Sequence, residues 1–154
     1  MNVSRTVAKI IGRDLNKLKT EIEKFETDAG LWQVTGEVPN TAGTLCLHLC
    51  GNLRHFIGAV LGNSGYVRDR DAEFSLTGLS QQELVRLIEE TRAEVARAFE
   101  QLSDASLDDE FPFELKGEPV TAGYFLLHLT THLNYHLGQI NYLRRALASP
   151  DLQD

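Results

Sequence analysis

The chain has 154 residues, 42% of them apolar and 24% charged, with a formal net charge of −7, which is enough for a sizeable core in a single domain over residues 1–154. The acidic balance argues against nucleic acid or an anionic membrane as the main partner, because both want a basic face. No apolar run approaches the ~20 residues of a membrane span, and the opening MNVSRTVAKI lacks the long apolar core of a signal peptide, so a cytoplasmic protein is expected.

In chain order, Val7, Ile10, Ile11, Leu15, Leu18, Ile22 and Phe25 recur at three- and four-residue steps and predict a first helix near 3–26. A long connection follows, with LWQVTGEVPN and the only tryptophan, Trp32. Leu45, Leu49, Leu53, Phe56, Ile57 and Val60 predict a second helix near 42–62. It carries Cys46 and Cys50 as C-x3-C, not the C-x2-C of redox or zinc motifs. Buried small hydrophobes are the plain reading of the pair; a thiolate ligand near His48 is the sharper one.

The next connection holds GYVRDRDAEF, which alternates Arg and Asp before Glu73. It reads either as a solvated, self-paired loop or as a lid bringing Arg68, Arg70 or a carboxylate (Asp69, Asp71 or Glu73) to a pocket mouth. Ser80 with Glu83 makes a capping-box pattern and opens a third helix near 81–102, carried by Leu84, Ile88, Thr91, Val95, Phe99 and Leu102. Glu110–Leu115 and GEPV suggest a short extended piece. A fourth helix near 121–147 has Leu126, Leu129, Leu133, Leu137, Ile140 and Leu147, with Pro150 beyond its end. Four amphipathic helices in a compact chain predict an all-α four-helix bundle with long connecting loops. A helix of ~20 residues is ~30 Å long, so any of the three long links can serve as a crossover.

The last helix carries three of the five histidines, His128, His132 and His136, each four residues after the last. On a helix they form one face. Phe125, His128, His132, His136 and Gln139 make a row beside the leucine stripe, so these rings should point into the bundle or along its seam. On the second helix His48, Asn52 and His55 repeat this layout beside Leu45, Leu49 and Phe56. Each unsatisfied buried ring nitrogen costs about 1–3 kcal/mol. Two imidazoles at i and i+4 plus one from a facing helix would give a three-histidine metal site with open positions. A hydrogen-bonded polar seam and a metal-free histidine-lined pocket fit the same spacing. H-E-x-x-H is absent, since Leu133, Asn134 and Tyr135 separate His132 from His136. There is no G-x-S-x-G, no Walker loop and no G-x-G-x-x-G.

The string THLNYHLGQINYLRR resembles the DinB/YfiT-like superfamily, whose last helix typically carries H-x3-H-x-G-Q; the matching residues are His132, His136, Gly138 and Gln139, with His48 in LCLHLCGNLRHF as the upstream histidine. The resemblance covers nearly the whole chain. It implies a bundle of up-down-down-up order, commonly a homodimer, with a divalent metal, nickel or zinc most often, on His48, His132 and His136. It also implies relatives that transfer low-molecular-weight thiols and a maleylpyruvate isomerase. His128 extends the ladder beyond the triad, and His55 falls near the far end of its helix. Gly138 fits a close helix–helix approach, and Gln139 can orient a ligand from behind. The outer row Thr131, Asn134, Asn141 and Arg145, near Tyr135 and Tyr142, is where a second subunit would sit.

Three functions follow as expectations. A thiol-dependent S-transferase acting on a small electrophile is the first, with Gln139, Glu73 and Arg70 as candidate catalytic or substrate-contacting residues. A metal-dependent hydrolase is the second, and lacks a visible carboxylate base beside the histidines. A non-catalytic metal- or ligand-binding bundle is the third.

Overall fold

The structure, a computed structural model, describes residues 2–148; Pro150 lies outside them. Five helices succeed one another: α1 (Val3–Glu23), α2 (Ala42–Leu53), α3 (Arg70–Ser75), α4 (Gln81–Gln101) and α5 (Ala122–Leu147). Helix α2 runs on as a π-helical segment, Arg54–Leu61, and short 3-10 turns occupy Ala29–Trp32 and Ala105–Asp108. Among the described residues there is no strand, only isolated bridges between Glu110 and Thr121 and between Leu115 and Glu118, where the short extended piece was expected. No described helix is long and apolar enough to cross a membrane.

Each long helix starts on a side-chain cap, which satisfies backbone donors left free in the first turn. Asn2 accepts from Arg5 N, Thr41 from Thr44 N and Thr121 from Tyr124 N. Ser80 and Glu83 close the expected capping box. The apolar faces then meet: Ile11, Leu15, Leu18 and Ile22 of α1, Leu49 and Leu53 of α2, Leu84 and Ile88 of α4, and Leu126 and Leu129 of α5 are all fully buried. Each such side chain contributes roughly 1.5–3 kcal/mol by leaving water.

Helices α1 and α2 each pack on both α4 and α5. Asn134 of α5 donates to Asp14 of α1 (3.1 Å), and Asn141 donates to Glu21 (2.9 Å). Both helices advance seven residues between these two bonds, so α1 and α5 run in the same direction. Lys19 meets Glu89 at 2.9 Å and Gln81 Nε2 donates to Ile22 O, so α4 runs against α1. Phe56 packs on Phe125 (4.8 Å) while His48 meets His136 (5.3 Å), so α2 runs against α5. Asn134 and Asn141, expected on an outer polar face, are therefore half of an α1–α5 polar seam. They face α1 because a helix packed between two neighbours has two inner faces.

The π-helical end of α2 is tied down by charge. The Glu94 carboxylate occupies the space a side chain on Gly58 would need. There it accepts from Arg54 Nε at 2.8 Å and from Ser64 Oγ at 2.6 Å. Ser64 N reaches back to Gly58 O at 3.0 Å, which turns the chain out of α2. The Arg/Asp run read as a loop then forms α3, capped by Asp69 on Ala72 N at 3.0 Å. Six residues are too few to show helical period.

The Trp32 ring sits against Gly43, where an added Cβ would stand 2.6 Å from it, and Trp32 Nε1 donates to Leu79 O at 2.9 Å. Gly43→Ala is expected to lower stability by about 1–3 kcal/mol through overpacking. The fluorescence of the only tryptophan should change with it, as equilibrium denaturation would record.

Candidate metal centre

Helices α2 and α5 face each other with their histidine rows. His48 is buried at 8% exposure, while His132 and His136 are partly buried. His48 Nε2 lies 3.1 Å from His132 Nε2. The ring centres are 5.0 Å apart for His48–His132, 5.3 Å for His48–His136 and 4.6 Å for His132–His136. One ring nitrogen from each of the three lies within 4.8 Å of the others. A cation bound at about 2.0–2.1 Å from each nitrogen holds ligand pairs roughly 3.3 Å apart in tetrahedral geometry, close to the His48–His132 spacing.

The far nitrogens are anchored differently. His48 Nδ1 is 3.1 Å from Glu73 Oε1. Glu73 is held in turn by Arg68, through Nε to Oε2 and Nη2 to Oε1, both at 2.8 Å. Helix α3 can approach α2 this closely because Gly51 has no Cβ; one would overlap the Glu73 carboxylate. His136 Nδ1 is 2.6 Å from Gln139 Oε1, one turn further on. With the carboxylate and the carboxamide accepting, each ring donates from Nδ1, which leaves its Nε2 as the nitrogen that would face a cation. His132 Nδ1 is buried and has no partner.

Charge favours neutral rings. Burial, then the neighbouring His136, His48 and His128, lowers the His132 pKa from 6.5 to about 4. Burial lowers that of His136 despite the Gln139 hydrogen bond, which opposes it. Burial also acts to raise the Glu73 pKa, but hydrogen bonds from His48 and Arg68 and the Arg68 charge outweigh it and hold the carboxyl below its usual range. The set thus offers two imidazoles held toward the neutral form, His132 and His136, beside a third, His48, backed by a charged carboxylate, a donor set that suits a divalent cation.

Other candidates lie around this group. His128 stacks on His132 at 6.3 Å and lines a separate recess of about 620 Å³ with Tyr124 and Val120. His55 packs between Phe56 and Phe113, about two turns beyond His48. Cys46 and Cys50 are free and buried. They contact each other, and Cys50 also contacts Thr91 of α4, away from the histidines. Asp69 is used as the α3 cap and Asp71 is exposed. Arg70 is exposed and lies over the Phe74 ring, 5.1 Å from its centre; Phe74 in turn packs on His48 at 5.0 Å. Gly138, expected at a close helix contact, is exposed and has open space where its Cβ would be; its neighbours Leu137 and Ile140 are the buried residues of this turn. The sequence reading did not find Phe74 or the space that Gly51 leaves for Glu73. A glycine in the middle of a wholly buried helix was the available signal for the second.

Residues 13–140 match the family model of the DinB superfamily, and the chain belongs to that superfamily. Its fold is that of a DinB-like protein from Bacillus cereus ATCC 10987, whose crystal structure superposes with a TM-score of 0.69 over 86% of this chain and 85% of that one, at 18% identity. No curated protein matches the sequence.

A group whose pKa is lower in the folded chain stabilises fully above its unfolded pKa, and that stability drains as pH falls through the folded pKa. For His132 the window runs from 6.5 down to about 4, with Glu73 adding to the loss below 4.5. The melting temperature of the metal-free protein should therefore fall steadily across this window, and His132→Asn should flatten the upper part of the slope. Thermal denaturation at a series of pH values checks this; a wild-type profile flat down to about pH 5 would contradict it.

Proposed function

We propose that this chain is a metal-dependent enzyme in which His48, His132 and His136 hold a divalent cation, nickel or zinc. Its reaction would be transfer of a low-molecular-weight thiol to a small electrophile. The observation that carries the reading is the convergence of three imidazole nitrogens within 4.8 Å, backed by Glu73 and Gln139. In the same proposal the four long helices form one domain, a bundle of up-down-down-up order, consistent with α1 and α5 running one way and α2 and α4 the other. A cytoplasmic homodimer would then use the face of α5 left clear of α1 and α2, where Tyr135 and Tyr142 are 66% and 76% exposed.

When bound, such a cation supplies Lewis acidity that favours a thiolate over a thiol at neutral pH. The chain's own residues do the rest. Glu73 and Gln139 fix the His48 and His136 rings. Phe74 beside His48 and Tyr135 beside His136, with ring centres 5.0 and 5.2 Å apart, wall the site with aromatic surface. Arg70, exposed and lying over the Phe74 ring, offers a guanidinium at the rim suited to a substrate carboxylate. The thiol sulfur forms the new bond to an electrophilic carbon, the leaving group departs with the bonding pair, and the thiol proton passes to solvent.

Thiol transfer is favoured over hydrolysis by the state of Glu73. Both of its oxygens are occupied by His48 and Arg68, so it orients a ligand and is not free as a base for water. A thiol ionises readily without one, since its pKa of about 8.5 is far below that of water.

Metal-free protein without a histidine tag is expected to take up one zinc or nickel per chain and then to couple at least one common thiol to a chromogenic haloarene. His132→Ala should weaken metal binding at least 100-fold and abolish turnover while helicity is kept. Metal uptake with ester hydrolysis but no thiol coupling would overturn the S-transfer reading in favour of a hydrolase. Metal uptake with no turnover at all would favour a binding protein.

A further inference from the structure

An imidazole that holds a cation through one nitrogen has a second nitrogen to satisfy. Glu73 serves His48 and Gln139 serves His136. His132 Nδ1 has nothing, and one other buried side-chain atom among the described residues shares that condition, Asn52 Oδ1. Asn52 is 7% exposed and stands one turn past His48 on α2. At about 100° per residue its direction is roughly 40° around the axis from that of His48, toward the side on which Phe56 meets Phe125 of α5. The face that α2 turns to α5 thus carries His48, Asn52 and Phe56 in succession. The opposing, antiparallel face of α5 carries His136, His132, His128 and Phe125 in succession. Midway between the His48–His136 and Phe56–Phe125 contacts, Asn52 falls between the levels of His132 and His128, and of these His132 has the buried ring nitrogen without a partner.

The two unpartnered atoms are complementary. A His132 ring that directs Nε2 at His48 and a shared cation must keep its proton on Nδ1, and that N–H needs an acceptor. A carboxamide oxygen left alone in the interior needs a donor. We propose that Asn52 is the positioning residue for His132: its side-chain oxygen accepts the His132 Nδ1–H, directly or through one buried water, when the three-histidine site is loaded. Every ring of the triad then has its own orienting acceptor, from α3 (Glu73), α2 (Asn52) and α5 (Gln139). This rests on the metal reading above.

The test compares wild type, Asn52→Leu and Asn52→Asp in three measurements: zinc affinity by chelator competition, melting temperature without metal, and the histidine N–H signals of the zinc-loaded protein by nitrogen-15 NMR. Loss of an orienting acceptor costs 10–100-fold in metal affinity, which is the expected loss for Asn52→Leu. Its metal-free melting temperature should be unchanged or raised, because an unsatisfied buried polar group has been removed. Asn52→Asp keeps the acceptor and should bind zinc within a few-fold of wild type. The His132 Nδ1–H signal, protected from exchange in the wild type, should be lost or shifted in Asn52→Leu. Wild-type zinc affinity in Asn52→Leu would overturn the assignment alone, as would equal loss in both variants with lower metal-free stability. A wild type that binds no zinc would overturn it together with the metal reading.

Discussion

Two imidazole nitrogens from different helices, His48 Nε2 and His132 Nε2, stand 3.1 Å apart in a part-buried seam. Like charges at that distance in a poorly solvated site cannot both be carried, so at least one ring must be neutral; burial first, and then the neighbouring His136 and His48, lower the pKa of His132. The rest of the site is arranged around it. Helix α3 brings Glu73 to the back of His48, the missing side chain at Gly51 leaves room for it, and Arg68 keeps its carboxyl ionised. The π-helical turn at the end of α2, pinned by Arg54, Glu94 and Ser64, starts the return path from which Arg68 and α3 follow.

The histidines of α5 must also arrive at the right height along α2. That height is set on the opposite side of α5. Asn134 and Asn141 meet Asp14 and Glu21 of α1 at a seven-residue interval, and Arg144 adds a 2.7 Å pair to Glu21. Part-buried polar pairs such as these fix register between helices even where they add little net stability. Burial acts to raise the pKa of both Asp14 and Glu21, yet their partners hold each below its usual value, so the seam stays charged and its geometry defined. One helix thus carries a positioning face toward α1 and a chemical face toward α2.

Much of this was legible in the sequence, because helical period and spacing are local signals. The four long helices, the Ser80–Glu83 cap and the burial of both cysteines came from apolar steps and turn residues. The histidine rows were readable because an i, i+4 ladder beside a leucine stripe must face a neighbour. What escaped reading depends on contacts distant in sequence. Glu73 lies 25 residues from His48 in a run that looks self-paired, and its helix is too short to show period. Asn134 and Asn141 look like surface residues until α1 is laid beside them. Gly138 suggested a tight contact, but a glycine on a helix fits a close approach or open solvent equally well, and here it faces solvent.

The most direct measurement is anomalous diffraction from crystals grown with zinc, recorded above and below the zinc edge. The account places a single strong peak about 2.0–2.2 Å from Nε2 of His48, His132 and His136, with at least one further coordination position open. A peak elsewhere, or no peak while the three rings remain in contact with one another, would contradict it.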